Sequence, residues 1–346
     1  MEEEKKLYPL KAMPLVSDDA KTSVQFADLG FIDTEFRNGW LAADTISEVM
    51  DMYMDRIVGE STFSYYGRQF PVMVKSLEAD GMTPLMVHPD DVVALERYDL
   101  LGKAKLWYVA AAGDGACAYL GFKEDTPAAD FYMACRHGEA ENLLHRIPVA
   151  KGDSFFVAPG TVCCAHGPLK LIEIAQCSPL DFTLHTWGCL PQGDEFDEEL
   201  NLDAAFDFIN YGKDGHAPQA PAGDGLRTLV DASQFKVTEI KLSEGLHIGN
   251  DRSDCFALYT CVEGSACIRG TEDFSDVNFS AGETVLVPAE LQEFDLMPRV
   301  AGTVLLETIS ATPEEGDMYI NPDTEETLGD DEPETDGLLS ATKHFS

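Results

Sequence analysis

Short apolar runs separated by glycine and proline are the feature that most restricts what this chain can fold into. They recur from about Phe70 to Ile309, and the connections between them are short. Short connections bring consecutive strands together as antiparallel neighbours. Evenly spaced short strands with turn residues between them are typical of a β-sandwich or barrel. We therefore expect a mainly β fold, and a chain of 346 residues is long enough for two core-forming units.

The predicted strands divide between two halves of the chain. Gly113-Asp-Gly115 lies between two of them and predicts a β-hairpin turn. Gly152-Asp153, an apolar run and Pro159 recur as Gly282-Glu283, an apolar run and Pro288, so the two halves are expected to be related β-units. The predicted strands lie at 71–77, 84–87, 105–109, 116–120, within 151–160, and at 169–174, 235–242, 255–262, 266–269, 284–288 and 303–309.

Helical patterns interrupt these strands at three places. Apolar residues at helical spacing predict a helix over residues 45–57. Residues 127–145 are predicted as two short helices divided near Gly138. A further helix is expected over residues 199–211, followed by a linker rich in glycine, proline and alanine over residues 212–225.

Acidic residues dominate the charge of the chain, whose formal net charge is −38. Such a charge repels nucleic acids and anionic membranes, so we expect neither as a partner. A tail over residues 313–346 carries many acids between Glu314 and Asp336 and no basic residue among them. This composition is typical of a solubilising extension, and a protein partner for the tail is the alternative.

The sequence also indicates a cytoplasmic protein. No long apolar run follows the N-terminal lysines, so no signal peptide is predicted, and no run of about 18 apolar residues predicts a membrane span. The nine cysteines are odd in number and scattered, which favours reduced thiols over a disulfide framework.

The segment from Thr83 to Asp91 contains the first candidate functional residue. A short strand ends at His88, whose backbone is restricted to an extended conformation by Pro89. A histidine held in this way is a candidate metal ligand. The same residues also fit a strand end followed by a helix, with Asp90 or Asp91 as the N-cap. Both interpretations stay open at this point.

Six segments, in register along the chain, resemble type I mannose-6-phosphate isomerase of the bacterial kind. The likeness runs from about residue 66 to residue 310, and the first 65 residues match poorly. It implies two cupin units, each a double-stranded β-helix, with helices packed outside. It also implies a reaction that interconverts mannose 6-phosphate and fructose 6-phosphate, with one zinc ion as a Lewis acid. The segments are 70–77, 86–91, 102–108, 119–122, 151–162 and 199–210.

This resemblance implies a division into domains. Residues 1–65 are expected to lead into a first cupin over residues 66–192, which carries the active-site-like pocket and a helical insertion at 124–146. A helix and linker would follow at 193–226. A second, degenerate cupin is expected at 227–312, before the acidic tail.

The residues at the family's zinc-ligand positions differ from the family pattern. The resemblance places these four positions at Met86, His88, Lys105 and Cys163, and only His88 is the residue that the family has. Lys105 is a cation at a place where a divalent cation would bind. At roughly 4 Å and an effective dielectric constant of about 20, the two would repel by several kcal/mol.

The family's substrate anchors are also replaced. The positions of its Asp and Arg fall at Pro179 and Thr183, and that of a further Arg at Cys189. The residues that the resemblance retains are Lys75, His88, Lys103, Glu173 and Gln176. From these we take Lys75 and Lys103 as candidate catalytic residues. Lys75, His88 and Lys103, with the substituted Lys105, are the candidate substrate-binding residues. His88 and Cys163 are the candidate metal ligands.

Three functions follow from this pattern. The first is a sugar-binding or sugar-phosphate-binding regulatory cupin that lacks isomerase activity and needs no cofactor. The second is an active aldose–ketose isomerase with a rebuilt zinc site, in which Cys163 or Cys164, His166 and His185 supplement His88. The third is an interaction protein that binds a partner through the acidic tail and the outer helices.

Overall fold

β-strands form most of the regular structure, as the sequence predicts. The structure is a computed structural model that describes residues 5–188, 198–219, 225–249, 254–270 and 274–311. The predicted acidic tail and Cys189 lie outside the described residues. The first twelve strands are β1 (Leu10–Lys11), β2 (Leu15–Val16), β3 (Thr22–Phe26), β4 (Val72–Ala79), β5 (Leu85–Val87), β6 (Lys105–Ala112), β7 (Cys117–Phe122), β8 (Leu144–Pro148), β9 (Ser154–Val157), β10 (Cys163–His166), β11 (Leu169–Gln176) and β12 (Phe182–His185).

The remaining strands follow the predicted helix and linker. They are β13 (Gly225–Asp231), β14 (Phe235–Leu242), β15 (Leu246–Ile248), β16 (Ala257–Glu263), β17 (Ser265–Arg269), β18 (Val277–Ser280), β19 (Thr284–Val287), β20 (Phe294–Pro298) and β21 (Thr303–Ser310). The α-helices are α1 (Ile46–Tyr53), α2 (Asp55–Val58), α3 (Glu60–Tyr66), α4 (Asp91–Tyr98), α5 (Ala128–His137) and α6 (Glu198–Ala205).

The described residues group into two units. Unit A contains residues 5–15, 24–75 and 225–311, and unit B contains residues 16–23, 76–188 and 198–219. Residues 24–65, predicted to lead into the first cupin, and residues 66–75, predicted as its start, therefore group with the C-terminal half of the chain.

Unit B is built from two sheets. Its five-stranded sheet has the order β12-β5-β10-β7-β8, and strands β11, β6 and β9 are consecutive in a six-stranded sheet of order β2-β3-β4-β11-β6-β9. Apolar side chains from both sheets, including Trp107, Leu120, Phe155 and Leu171, form the interior. The other face of the five-stranded sheet is covered by residues of α5 and α6, such as Phe131 and Leu202.

Unit A repeats the two-sheet design. It has a six-stranded sheet of order β1-β19-β16-β21-β14-β13 and a four-stranded sheet of order β15-β20-β17-β18. Its core is formed by buried side chains of both sheets, among them Ile240, Tyr259, Val285 and Phe279. Neighbouring strands among the described residues of these two sheets pair antiparallel. The predicted mainly β, two-cupin fold is confirmed.

The predicted helix over residues 45–57 is present in two pieces. It begins at the N-cap Thr45, which forms a capping box with Glu48. Ile46, Val49 and Met50 are buried, as the helical spacing predicts. Met54 adopts a positive φ of 48°, which ends α1 before α2 begins.

The hairpin predicted at Gly113-Asp-Gly115 is wrong. Strand β6 pairs with β9 and β11, whereas β7 pairs with β8 and β10, so this turn joins two different sheets. The turn residues reverse the chain as expected. They do not determine partners, because strand pairing is decided by packing between the two sheets.

The C-terminal ends of α5 and α6 can be compared with the ends predicted from the sequence. Gly138 caps α5 in the left-handed conformation at φ 70° and separates it from a 3₁₀ helix at Ala140–Leu143, as predicted. The prediction for α6 is too long, since the helix ends at Ala205. Beyond it, the Asn210 N–H donates to the Gly160 carbonyl, so a tertiary hydrogen bond replaces the helical one.

No helix in the described ranges is long and apolar enough to cross a membrane.

Two carboxylates of unit A, Asp28 and Glu283, are expected to change the stability of the fold with pH in opposite directions. Burial raises the pKa of Asp28 to about 6, and the charges of Asp33 and Asp51 add to this, although the Phe70 N–H donates to it at 2.9 Å. Folding is therefore favoured when Asp28 is protonated, and this contribution is lost as the pH rises from below 4 through about 6.

We expect Asp28→Asn to stabilise the protein by up to about 3 kcal/mol at pH 7 and to have little effect at pH 4. The asparagine keeps an acceptor for the Phe70 N–H and removes the buried charge. Urea denaturation at both pH values measures this, and an equal effect at both would contradict it.

Glu283 has a lowered pKa, so its effect on stability changes with pH in the opposite direction to that of Asp28. Burial acts to raise its pKa, but hydrogen bonds from Lys11, the Ser280 N–H and Arg37 lower it to about 2. Its stabilising contribution is present above about pH 4.5 and is lost as the pH falls towards 2. Because the side chain is 20% exposed, we expect Glu283→Gln to destabilise by only about 1 kcal/mol at pH 7. The loss should disappear near pH 2.5 in the same denaturation series.

Candidate functional site

Strand alternation decides which side chains enter the interior of unit B. On β5, Leu85 and Val87 face the helix-covered core, while Met86 packs against the interior cluster. His88 follows with the parity of Met86. On β6, Lys105 has the parity of Trp107, which belongs to the interior cluster. These residues therefore point to one region between the two sheets.

Five side chains form what we call the charge cluster: His88, Lys103, Lys105, Glu173 and Asp181. The Lys103 ammonium donates to Asp181 Oδ1 at 2.6 Å, and His88 Nε2 lies 2.9 Å from the same oxygen. The Lys105 ammonium lies 3.5 Å from Glu173 Oε2. Asp181, whose side chain is 21% exposed, is the most exposed member, because the side chains of the others are 7% exposed or less.

His88 is neutral in this arrangement. Burial lowers its pKa to about 4, and the positive charges of Lys105 and Lys103 act in the same direction, against the effect of Asp181. The 2.9 Å contact with a carboxylate oxygen assigns the ring proton to Nε2, because a carboxylate only accepts. The Nε2 lone pair is therefore not available to a metal ion.

Lys105 lies among buried side chains. Its ammonium is 5.2 Å from the centroid of the Trp107 ring and hydrogen-bonds with the Cys163 thiol, and His88 Nε2, which carries the ring proton, lies 3.4 Å away. Trp107 in turn donates from Nε1 to Glu173 Oε2 at 2.7 Å. The lysine is 2% exposed, so these contacts are made away from bulk water.

The segment that carries both lysines is held by backbone contacts. Asp91 Oδ1 accepts from the Gly102 N–H at 2.9 Å and from Gln176 Nε2 at 2.8 Å. Gln176 Oε1 accepts from the Ala104 N–H, so residues 102–104 are bound on both sides. A Cβ at Gly102 would lie 2.4 Å from the Asp90 carbonyl carbon, so only glycine fits this close approach.

The two interpretations of the His-Pro-Asp-Asp segment are both reflected in the structure. Asp90 is the N-cap of α4 and accepts from the Val93 N–H at 2.9 Å, as the helix-start interpretation predicts. His88 nevertheless belongs to the charge cluster. Asp91, the other candidate cap, holds Gly102 instead.

The candidate metal ligands are only partly brought together. Cys163 faces the interior near Lys105, and burial raises the pKa of its thiol. Cys164 belongs to the helix-side core, and the His185 ring packs on Trp187 with a centroid distance of 4.6 Å. Within the described ranges, no three or more His, Cys, Asp or Glu side chains are placed to hold a metal ion. The eight described cysteines are buried thiols that form no disulfide.

Of the candidate lysines, Lys103 and Lys105 lie in the charge cluster, and Lys75 lies on β4 as the last residue of its segment of unit A. The roles of all three as catalytic or substrate-binding residues stay predictions.

Asp181 is the cluster member that sequence reasoning missed. The likeness to the family directed attention to Pro179 and Thr183 on either side of it. In the structure, Phe182 is the strand partner of Val87, so Asp181 lies beside His88 across the β12–β5 pair. That register joins residues about 90 positions apart, and no local signal marks it.

Several known proteins are similar to this chain, although no model of a protein family matches it. The mannose-6-phosphate isomerase of Streptococcus mutans is 30% identical over 232 residues, which cover 65% of this chain and 70% of that protein. GmuF of Bacillus subtilis, a probable mannose-6-phosphate isomerase, is 27% identical over 266 residues, covering 75% and 81%. The crystal structure of the mannose 6-phosphate isomerase from Bacillus subtilis matches with a TM-score of 0.75 at 19% identity, over 87% of this chain and 99% of that chain.

The close approach at Gly102 predicts a sensitive position. We expect Gly102→Ala to destabilise the protein by about 2–3 kcal/mol, because the added methyl group meets backbone atoms that cannot move aside. Gly81→Ala is the matched control, since its Cβ would meet nothing within 4 Å, and it should change stability by less than about 0.5 kcal/mol. Denaturation in urea measures both, and equal losses would contradict the assignment.

Proposed function

The chain belongs to the mannose-6-phosphate isomerase family, and we propose that it binds a sugar phosphate of that family's kind without carrying out zinc-dependent isomerisation. Relatives that are 27–30% identical to it are named for mannose 6-phosphate. That sugar phosphate, or its ketose isomer fructose 6-phosphate, is therefore the ligand to test first.

The observation that carries the proposal is the pair of buried ammonium groups in the charge cluster. Lys103 and Lys105 are each 2% exposed and lie within contact distance of His88 or its partner Asp181. A divalent ion beside them would meet two positive charges and an imidazole whose Nε2 proton already binds Asp181.

The side chains present do not fit the zinc ion that the family resemblance implies. Met86 offers a thioether, Lys105 offers a cation, and His88 Nε2 offers a proton where a lone pair is needed. We therefore derive no step through zinc. Without a Lewis acid, the proton transfer between two sugar carbons lacks the group that would stabilise the developing oxyanion.

The charges that remain suit a phosphorylated ligand at the exposed edge of the cluster. Two lysines and two carboxylates balance each other nominally, so the interior carries no net charge of its own. Asp181 is the partly exposed member of the cluster, and its carboxylate already accepts a hydrogen bond from the Lys103 ammonium. A phosphate that reaches Lys103 would take over the place of this carboxylate.

Two measurements on the protein purified without chelator test the proposal. Isothermal titration with mannose 6-phosphate, fructose 6-phosphate and unphosphorylated mannose should show binding of a phosphorylated sugar and weaker or undetectable binding of mannose. A coupled isomerase assay should show no turnover, and elemental analysis should show far less than one zinc per chain. One zinc per chain together with turnover would instead establish the active isomerase with a rebuilt zinc site.

Variants of the Lys103–Asp181 pair predict the direction of the effect on affinity. Lys103→Met should weaken binding of mannose 6-phosphate about tenfold or more, because the phosphate loses a charge-assisted hydrogen bond. Asp181→Asn should strengthen it several-fold, because the competing carboxylate is removed. Lys170→Met, which removes an exposed lysine paired with Glu78 in the same unit, is the control and should leave affinity unchanged. Tighter binding by Lys103→Met, or weaker binding by Asp181→Asn, would contradict this assignment.

A further inference from the structure

The two buried lysines of the charge cluster have different surroundings. Lys103 binds the partly exposed Asp181 and so lies at the edge where a ligand would arrive. Lys105 is directed to Glu173, Cys163, Trp107 and His88, four groups that are all buried. The function proposed above uses Lys103 and leaves the role of Lys105 unexplained.

We propose that the Lys105 ammonium is the resident cation of the unit B interior, a covalently attached replacement for a metal ion. A carboxylate, a thiol and an aromatic face converge on it, and each is a group that attracts a cation. Cys163 and the neighbouring His88 are the residues that the sequence offers as metal ligands. The ammonium therefore contacts the thiol and carboxylate donors of this region, while His88 directs its Nε2 proton to Asp181.

The environment of Glu173 shows why a cation is needed at this place. Its side chain is 7% exposed, and Oε2 accepts from Trp107 Nε1 at 2.7 Å and lies 3.5 Å from the Lys105 ammonium. A neutral donor such as Trp107 does not balance a buried negative charge. A carboxylate left in a low-dielectric interior without a counter-charge strongly destabilises the folded state. Lys105 supplies that counter-charge from the same chain.

The attached cation has a consequence for regulation by metals. A bound zinc ion is lost to a chelator, whereas an ammonium on a side chain is lost only if the protein unfolds or is mutated. The interior of unit B should therefore stay intact whether metal is present or removed. This inference concerns stability and metal response, so it holds whether or not the protein binds a sugar phosphate.

A charge-deletion series measured by thermal unfolding tests the role of Lys105. Lys105→Met keeps most of the length of the side chain and should lower Tm by about 10 °C, because Glu173 loses the counter-charge of Lys105. Adding Glu173→Gln to this variant should recover most of the loss, since Gln still accepts from Trp107 and carries no charge. Lys170→Met, at an exposed pair, is the control and should shift Tm by less than about 2 °C.

Each outcome of this series decides for or against the proposal. A double variant that folds when Lys105→Met is insoluble supports it, because charge balance is then what the lysine provides. A double variant that is no more stable than Lys105→Met, or that also fails to fold, contradicts it. In that case packing of the lysine side chain, rather than its charge, is the important contribution.

Zinc provides the second, independent readout. Equimolar zinc or a chelator should leave the Tm of the wild-type protein unchanged. Lys105→Glu replaces the cation by an anionic donor next to Glu173 and Cys163, so equimolar zinc should raise its Tm by several degrees. A zinc-dependent rise in the wild type, or no rise in Lys105→Glu, would overturn the proposal. Neither result depends on the sugar-phosphate titration, so the two proposals fail separately.

Discussion

Neutralisation of buried charge is the constraint on which the interior of unit B depends. Two ammonium groups and a carboxylate are almost fully buried there, with a second carboxylate at the edge. Isolated charges in such a place would be strongly unfavourable, so each must face an opposite charge at short distance. The apolar strands around them, with Trp107 and Leu171 in the interior, make these contacts dry and therefore strong.

The backbone around the cluster is correspondingly well determined. Gly102 approaches the backbone at Asp90, and Asp91 and Gln176 bind the segment 102–104 from two directions. These contacts join the loop after α4 to the end of β11, and so they determine the backbone positions of Lys103 and Lys105. This framework is held by Asp91, Gln176 and the close approach at Gly102, so its contacts do not involve the lysine side chains that it carries.

This separation between framework and side chains accounts for how the chain relates to its family. The fold matches that of a mannose 6-phosphate isomerase over nearly all of the solved chain, although identity in that match is only 19%. Conserving a fold does not conserve the reaction, which depends on a few side chains at one site. In this protein the site combines His88 with a lysine and a thiol, and the Asp181 carboxylate completes it.

The sequence by itself determined the local features of the structure. The β-strands, the cap of α4 at Asp90 and the end of α5 at Gly138 follow from residue types and spacing, because these features rest on neighbours in the chain. Strand alternation also predicts that Lys105 and Trp107 share a face. Only the tertiary structure decided that β6 and β7 enter different sheets and that residues 24–75 group with the C-terminal half. It alone placed Asp181 beside His88, since the register between β12 and β5 is set by packing between residues far apart in the chain.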